Sequence, residues 1–160
     1  MILNENRVGS GSQAGEPGEA QDGHRPRITV VYTTMEGTLA ALEAAVQLSS
    51  GLGAEIVLLV AEKVAIYYPI NYAHLAAKFF EGVRTMIVKE LRMKESSIKL
   101  EIFFCRLPAQ CFEAMLDERS IVVLGTESRW WQRRERRMVR TLKVLGHDPV
   151  LIKPRAKRAP

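Results

Sequence analysis

Ile121-Val122-Val123-Leu124-Gly125 and Pro149-Val150-Leu151-Ile152-Lys153 are two short apolar runs, and the stretch between them decides the fold. From Arg133 to Leu145 it places Met138, Leu142 and Leu145 at i, i+4 and i+7, on one face of a helix that Gly146 ends. Strand, helix, strand with strands this short and apolar is the repeating unit of a parallel sheet covered on both faces.

Upstream the unit repeats. Ile28-Thr29-Val30-Val31-Tyr32 is a β-branched run suited to a buried strand. Thr33 or Thr34 caps the next helix, whose Leu39, Leu42, Ala45, Val46 and Leu48 recur at helical spacing until Gly51 and Gly53. Glu55 to Val60 is a second strand. A loop with Tyr67, Tyr68 and Pro69 leads to a longer helix. Its predicted core stripe is Tyr72, Leu75, Phe79, Val83, Met86, Ile87 and Leu91, with Lys78, Glu81, Arg84 and Lys89 in water. Tyr67 and Tyr68 read equally as pocket lining or as a packed lid. Ile98 to Phe104 is a third strand, and Pro108 opens a short helix running to about Leu116. The fold class is therefore α/β, Rossmann-like, with five parallel strands and helices on both faces. Ligands of such sheets bind beyond the carboxyl ends of strands, where strand order reverses. Thr33 to Gly37 and Gly125 to Trp131 are the loops in question.

The chain has 160 residues, 47% hydrophobic and 26% charged, which suits one domain. No apolar run approaches the ~18–20 residues of a membrane span. The N-terminus lacks the pattern of a signal peptide, and Cys105 and Cys111 are too few to staple a secreted miniprotein. A reduced, cytoplasmic protein is expected. Residues 1–26 are expected to be disordered: Gly9 to Ala20 has almost no large apolar side chains to offset backbone ordering, at ~1–2 kcal/mol per residue. The ordered domain is expected at 27–153, and 154–160 is a basic tail. Glycines in the first segment, and Gly51-Leu52-Gly53, fall near a dinucleotide-loop spacing. Neither set follows a strand and opens a helix, so neither carries that meaning.

The chain resembles the universal stress protein family over about residues 27–153. The resemblance is carried by Ile28–Tyr32 followed by Thr38-Leu39-Ala40-Ala41-Leu42-Glu43-Ala44-Ala45, by Cys105-Arg106-Leu107-Pro108-Ala109, and by Ile121–Thr126. The close, Val144-Leu145-Gly146-His147 with Pro149-Val150-Leu151-Ile152, is its most recognisable part. It implies the strand order 3-2-1-4-5 and a homodimer, often joined through the last strand, here Pro149–Lys153. Pairing also covers an apolar edge, which is a liability when left open.

Many members of that family bind ATP through a glycine motif after strand four: Gly, two residues, Gly, nine residues, Gly, then Ser or Thr. Its glycines let backbone N–H groups reach phosphate oxygens. Gly125 matches the first position. Ser128, Met138 and Val139 occupy the other three, and residues 126–145 contain no glycine. The family's acidic residue at the end of strand one is replaced by Tyr32 and Thr33. The expectation is the fold without that ATP site, in a non-enzymatic regulatory or scaffolding protein of the stress response. The alternative is a rebuilt site for ATP or AMP, in which Thr33, Gly125, Thr126 and Ser128, with Arg129 or Arg133, hold phosphate.

Charge supplies a third reading. Net charge is +5, yet residues 127–160 hold eleven Lys or Arg against three acids, a net of +8. The candidates for binding an anion are Arg129, Arg133, Arg136, Arg137 and Arg140, with Arg134 and Lys143 on the same helix. Arginine binds phosphate bidentately, and Trp130 and Trp131 just upstream are able to stack on bases. The partner would be nucleic acid or another polyanion, or a protein with an acidic surface, at the arginine helix; the plainer alternative is a solvated helix face. Cys105 and Cys111 read as a redox pair or as two small buried hydrophobes. His24, His74 and His147 have no metal-site spacing. Ser120 and Ser128 have no base partner, and Asp117-Glu118 is a turn, so no catalytic residue is assigned.

Overall fold

A computed structural model of the chain describes residues 25–64, 72–94, 97–118, 120–126 and 133–154. The expected disordered segment up to residue 24, the loop tyrosines Tyr67 and Tyr68, and the tail from 155 lie outside these residues. Among the described residues the elements run β1 (Arg27–Val31), α1 (Met35–Leu52), β2 (Glu55–Lys63), α2 (Tyr72–Glu90), β3 (Ile98–Cys105), α3 (Pro108–Met115), β4 (Ile121–Gly125), α4 (Arg133–Val144) and β5 (Val150–Ile152). The strands form one parallel sheet in the order β3-β2-β1-β4-β5. Chain order, strand number and sheet order all follow the expectation.

β1 lies in the middle, with Val30 beside Leu58 on one side and Val123 on the other. Because side chains alternate along a strand, the sheet feeds two cores. Ile28, Val30, Ile56, Leu58, Ile98 and Val123 pack against Ala41, Leu42 and Ala45 of α1 and Val83, Ile87 and Val88 of α2. Val31, Leu59, Ala61, Cys105, Val122 and Leu124 pack against Cys111 and Phe112 of α3 and Met138, Val139 and Leu142 of α4. A run such as Ile56 to Val60 is therefore apolar without interruption, since both faces are covered. β2 continues past the predicted Val60 to Lys63 because β3 pairs alongside it as far as Cys105.

Thr34, not Thr33, is the N-cap of α1: its hydroxyl accepts the Gly37 N–H at 3.2 Å. The helix runs through Gly51 and ends at Gly53, whose φ of 61° suits glycine and whose N–H bonds the Ser49 carbonyl at 2.8 Å. Pro108 opens α3 as expected.

α2 corrects the predicted stripe. The helix buries Ala76, Phe80, Val83, Ile87 and Val88, and leaves Leu75, Phe79 and Met86 more than half exposed. Helical period alone does not choose between the adjacent Phe79 and Phe80. The choice is made by Tyr32 at the end of β1, whose ring meets Phe80 edge-on at 5.3 Å. No described helix is long and apolar enough to cross a membrane.

Candidate functional site

α1 and α2 cover one face of the sheet, α3 and α4 the other, so strand order reverses between β1 and β4. Their carboxyl ends frame the crevice where this architecture places ligands. Four segments meet there: Tyr32 to Thr34, the first turn of α1, Gly125-Thr126, and the end of β5.

Threonines stitch these segments together. The Thr33 hydroxyl donates to the Gly125 carbonyl at 2.8 Å, and the Thr33 N–H donates to the Thr38 hydroxyl at 3.1 Å. The Thr126 N–H and hydroxyl both donate to the Ile152 carbonyl, at 2.8 and 3.4 Å. Thr33, Thr38 and Thr126 are all buried. Buried polar groups need such partners, and here they find them within the fold. Gly37 and Gly125 close the floor: a Cβ on Gly125 would lie 1.7 Å from the Gly37 carbonyl oxygen. Backbone meets backbone there with no room for a side chain.

Of the four residues expected at a rebuilt phosphate site, Thr33, Gly125 and Thr126 are thus brought together. Ser128 lies outside the described residues, as do Arg129, Trp130 and Trp131. The Thr33 and Thr126 hydroxyls each give their single proton to a carbonyl of the fold. Gly125 fits a packing need in addition to any motif. Two participants escaped the residue assignments: Thr38, and Gly37 as the partner of Gly125. No sequence signal singles Gly37 out: Gly51 and Gly82 also lie in helices, and a Cβ on either would meet nothing within 4 Å.

The second candidate surface is α4. Its buried side is Glu135, Met138, Val139 and Leu142. Arg133, Arg136, Arg137, Arg140 and Lys143 are exposed. An open groove of about 420 Å³ is lined by Arg136, Val139, Arg140 and Lys143. The expected division into a core stripe and a cationic outer face is present.

Cys105 ends β3 and Cys111 stands on α3; both thiols are free and buried. Burial pushes the Cys105 thiol up, partly offset by a hydrogen bond from the Cys111 backbone, with Glu62 adding to the rise. Burial, then the neighbouring Cys105, push Cys111 up to about 12. Both are therefore protonated, weak nucleophiles at neutral pH. We expect both to resist alkylation in the native protein and to react once it unfolds. Since the folded state holds the Cys111 proton more tightly, the stability this confers is complete below about pH 9 and is lost as pH rises toward about 12. The slope for one thiol is at most about 1.4 kcal/mol per pH unit. Urea melts at pH 8 and pH 10 should show that loss in the native chain and less of it in Cys111→Ala. Among the described residues, no group of three or more His, Cys, Asp or Glu is placed to hold a metal ion.

No protein-family model matches the sequence, and no curated protein matches it. Among solved structures the chain is similar to the universal stress protein UspA from Lactobacillus plantarum, with a TM-score of 0.50 and 14% sequence identity. That likeness covers 80% of this chain and 97% of the other. At this identity the likeness establishes a shared fold.

Proposed function

We propose that this chain is a non-enzymatic, cytoplasmic regulatory or scaffolding domain of the universal stress protein type. In this reading the crevice at the strand ends serves the fold and does not receive ATP through the family's glycine motif. The observation that carries the reading is the closed floor: Gly37 against Gly125, with the Thr33 and Thr126 hydroxyls turned to carbonyls. Preorganised N–H and O–H groups aimed outward are what a phosphate site requires. The loss of three of the four motif positions points the same way. Self-pairing through β5 belongs to the same reading. Val150 and Leu151 remain exposed on that short edge strand. A second copy would cover them.

One experiment tests both parts. The full chain is sized by light scattering and then titrated calorimetrically with ATP, with tripolyphosphate and GTP as controls. The expected result is a dimer that gives no heat at ~1 mM ATP, a ligand concentration that reveals affinities down to about −4 kcal/mol. Adenine-selective binding that persists in salt would mean a rebuilt nucleotide site and would end this reading. A monomer would end the β5 assignment.

A further inference from the structure

We infer that the edge of β3 is an interaction surface for a second copy of this chain, which joins its own β3 there in antiparallel register about Leu100. The inference goes beyond the reading above and concerns the opposite edge of the sheet from β5. β3 is the end strand of the order β3-β2-β1-β4-β5, and among the described residues nothing pairs with its outer side. It runs eight residues, against three for β5. Leu100, Ile102, Phe103 and Phe104 stay partly exposed along it. A long, partly apolar edge offers a row of unpaired N–H and C=O groups to another strand.

One contact fixes which backbone groups point outward. The Val64 N–H donates to the Cys105 carbonyl at 3.0 Å, so Cys105 turns its backbone toward β2. β2 and β3 pair residue for residue from Ile98 to Cys105, and backbone groups alternate in direction along a strand. Lys99, Glu101 and Phe103 therefore also face β2, while Ile98, Leu100 and Ile102 present their N–H and C=O groups to the open side. In an antiparallel copy with its two-fold axis at Leu100, Leu100 stands opposite the partner's Leu100, and Ile98 opposite the partner's Ile102. Every outward group then meets an outward group, giving about six N–H···O bonds.

The side chains select both the occupant and the register. Ile98-Lys99-Leu100-Glu101-Ile102 reads apolar, cation, apolar, anion, apolar. Reversed about Leu100, it places Lys99 opposite the partner's Glu101 and Glu101 opposite the partner's Lys99. Both fall at non-hydrogen-bonded pairs, where facing side chains come closest and opposite charges are favourable. An axis one residue to either side would set Lys99 against Lys99 or Glu101 against Glu101, which is unfavourable. Arg27 of β1 holds one oxygen of Glu101, and the Lys99 ammonium meets the other at 2.9 Å. The carboxylate is thus positioned before a second copy arrives, and the Lys99 side chain, 58% exposed, has room to turn toward the facing strand. On the other face of the sheet, pairing covers what remains exposed of Leu100 and Ile102. Charges on an edge strand commonly keep other strands away. In this order they complement a reversed copy of themselves.

The test is oxidative cross-linking of full-chain variants, read on a non-reducing gel after urea melts show that each folds. Cys105 and Cys111 are buried, so the native chain supplies the background. Leu100→Cys should give mostly covalent dimer, since facing Cα atoms at a hydrogen-bonded pair lie about 5.5 Å apart, within the range a disulfide spans. Ile102→Cys should cross-link at least tenfold less, because its two copies would stand about 13 Å apart. Adding Lys99→Glu to Leu100→Cys sets like charges face to face and should cut the yield at least fivefold. Amide exchange of the native chain needs no variant. Leu100 and Ile102 should slow as protein concentration rises a hundredfold, while Lys99 and Glu101, already turned to β2, should not change. Four results would overturn the inference. They are no cross-link in a folded Leu100→Cys, equal cross-linking in Ile102→Cys, an unchanged yield with Lys99→Glu, and exchange at Leu100 and Ile102 that ignores concentration. Cross-linking at Leu100 reports on β3 alone, so it is independent of β5 pairing and of the ATP titration.

Discussion

Gly125→Ala is expected to disrupt the native fold. The added Cβ would stand 1.7 Å from the carbonyl oxygen of Gly37 and 2.1 Å from its carbonyl carbon. Both obstacles are backbone, so no side-chain rotation relieves them. The first turn of α1 would have to move off β4, breaking the Thr33 hydroxyl bond to the Gly125 carbonyl and opening the seam over Leu42 and Val123. The loss should reach or exceed the ~3 kcal/mol upper end of ordinary overpacking. Gly37→Ala should cost less. There the nearest atoms are the Gly125 oxygen and the Thr33 hydroxyl at 2.9 Å, the hydroxyl can rotate, and alanine gains about 1 kcal/mol of helix propensity. Urea denaturation of the three proteins checks the order. A Gly125→Ala protein as stable as the native chain would mean that the crevice is open. It would also revive Gly125 as a phosphate-binding glycine.

Phe80→Ala should remove roughly 3–5 kcal/mol, the usual cost of deleting a buried phenylalanine. Phe80 is 6% exposed and lies edge-on to Tyr32, at the junction of α2 with the end of β1. Its neighbour Phe79 is 61% exposed and meets the Phe80 ring edge-on, at 5.1 Å between centroids. Phe79→Ala should therefore cost ~1 kcal/mol or less. The contrast between adjacent phenylalanines makes the test sensitive to helix rotation. A reversed order of costs would mean that α2 is turned toward the stripe read from periodicity, with Phe79 in the place given to Phe80.

The crevice and the cationic face lie on different parts of the molecule. One end of β1 and β4 turns its polar groups inward, while α4 turns its charges outward.

The order of elements was legible in the residues because strands covered on both faces read as unbroken apolar runs, as Ile56–Val60 and Ile121–Gly125 do. The cap at Thr33 or Thr34, the stop at Gly53 and the proline opening α3 are local chemistry, and local chemistry is written in neighbouring residues. Absence of the glycine motif is a count, and needs no structure. The order of strands in the sheet came from the family resemblance, since pairing of β1 with β4 joins residues some ninety positions apart. Three matters rested on such distant contacts. The face α2 buries depended on Tyr32, because Leu75, Phe79 and Met86 are as apolar as the residues chosen in their place. The role of Gly125 depended on Gly37, a contact that no spacing within either segment announces. The fate of the Thr33 and Thr126 hydroxyls depended on which carbonyl stood opposite each, and so whether the strand ends face a ligand or one another was decided by tertiary structure alone.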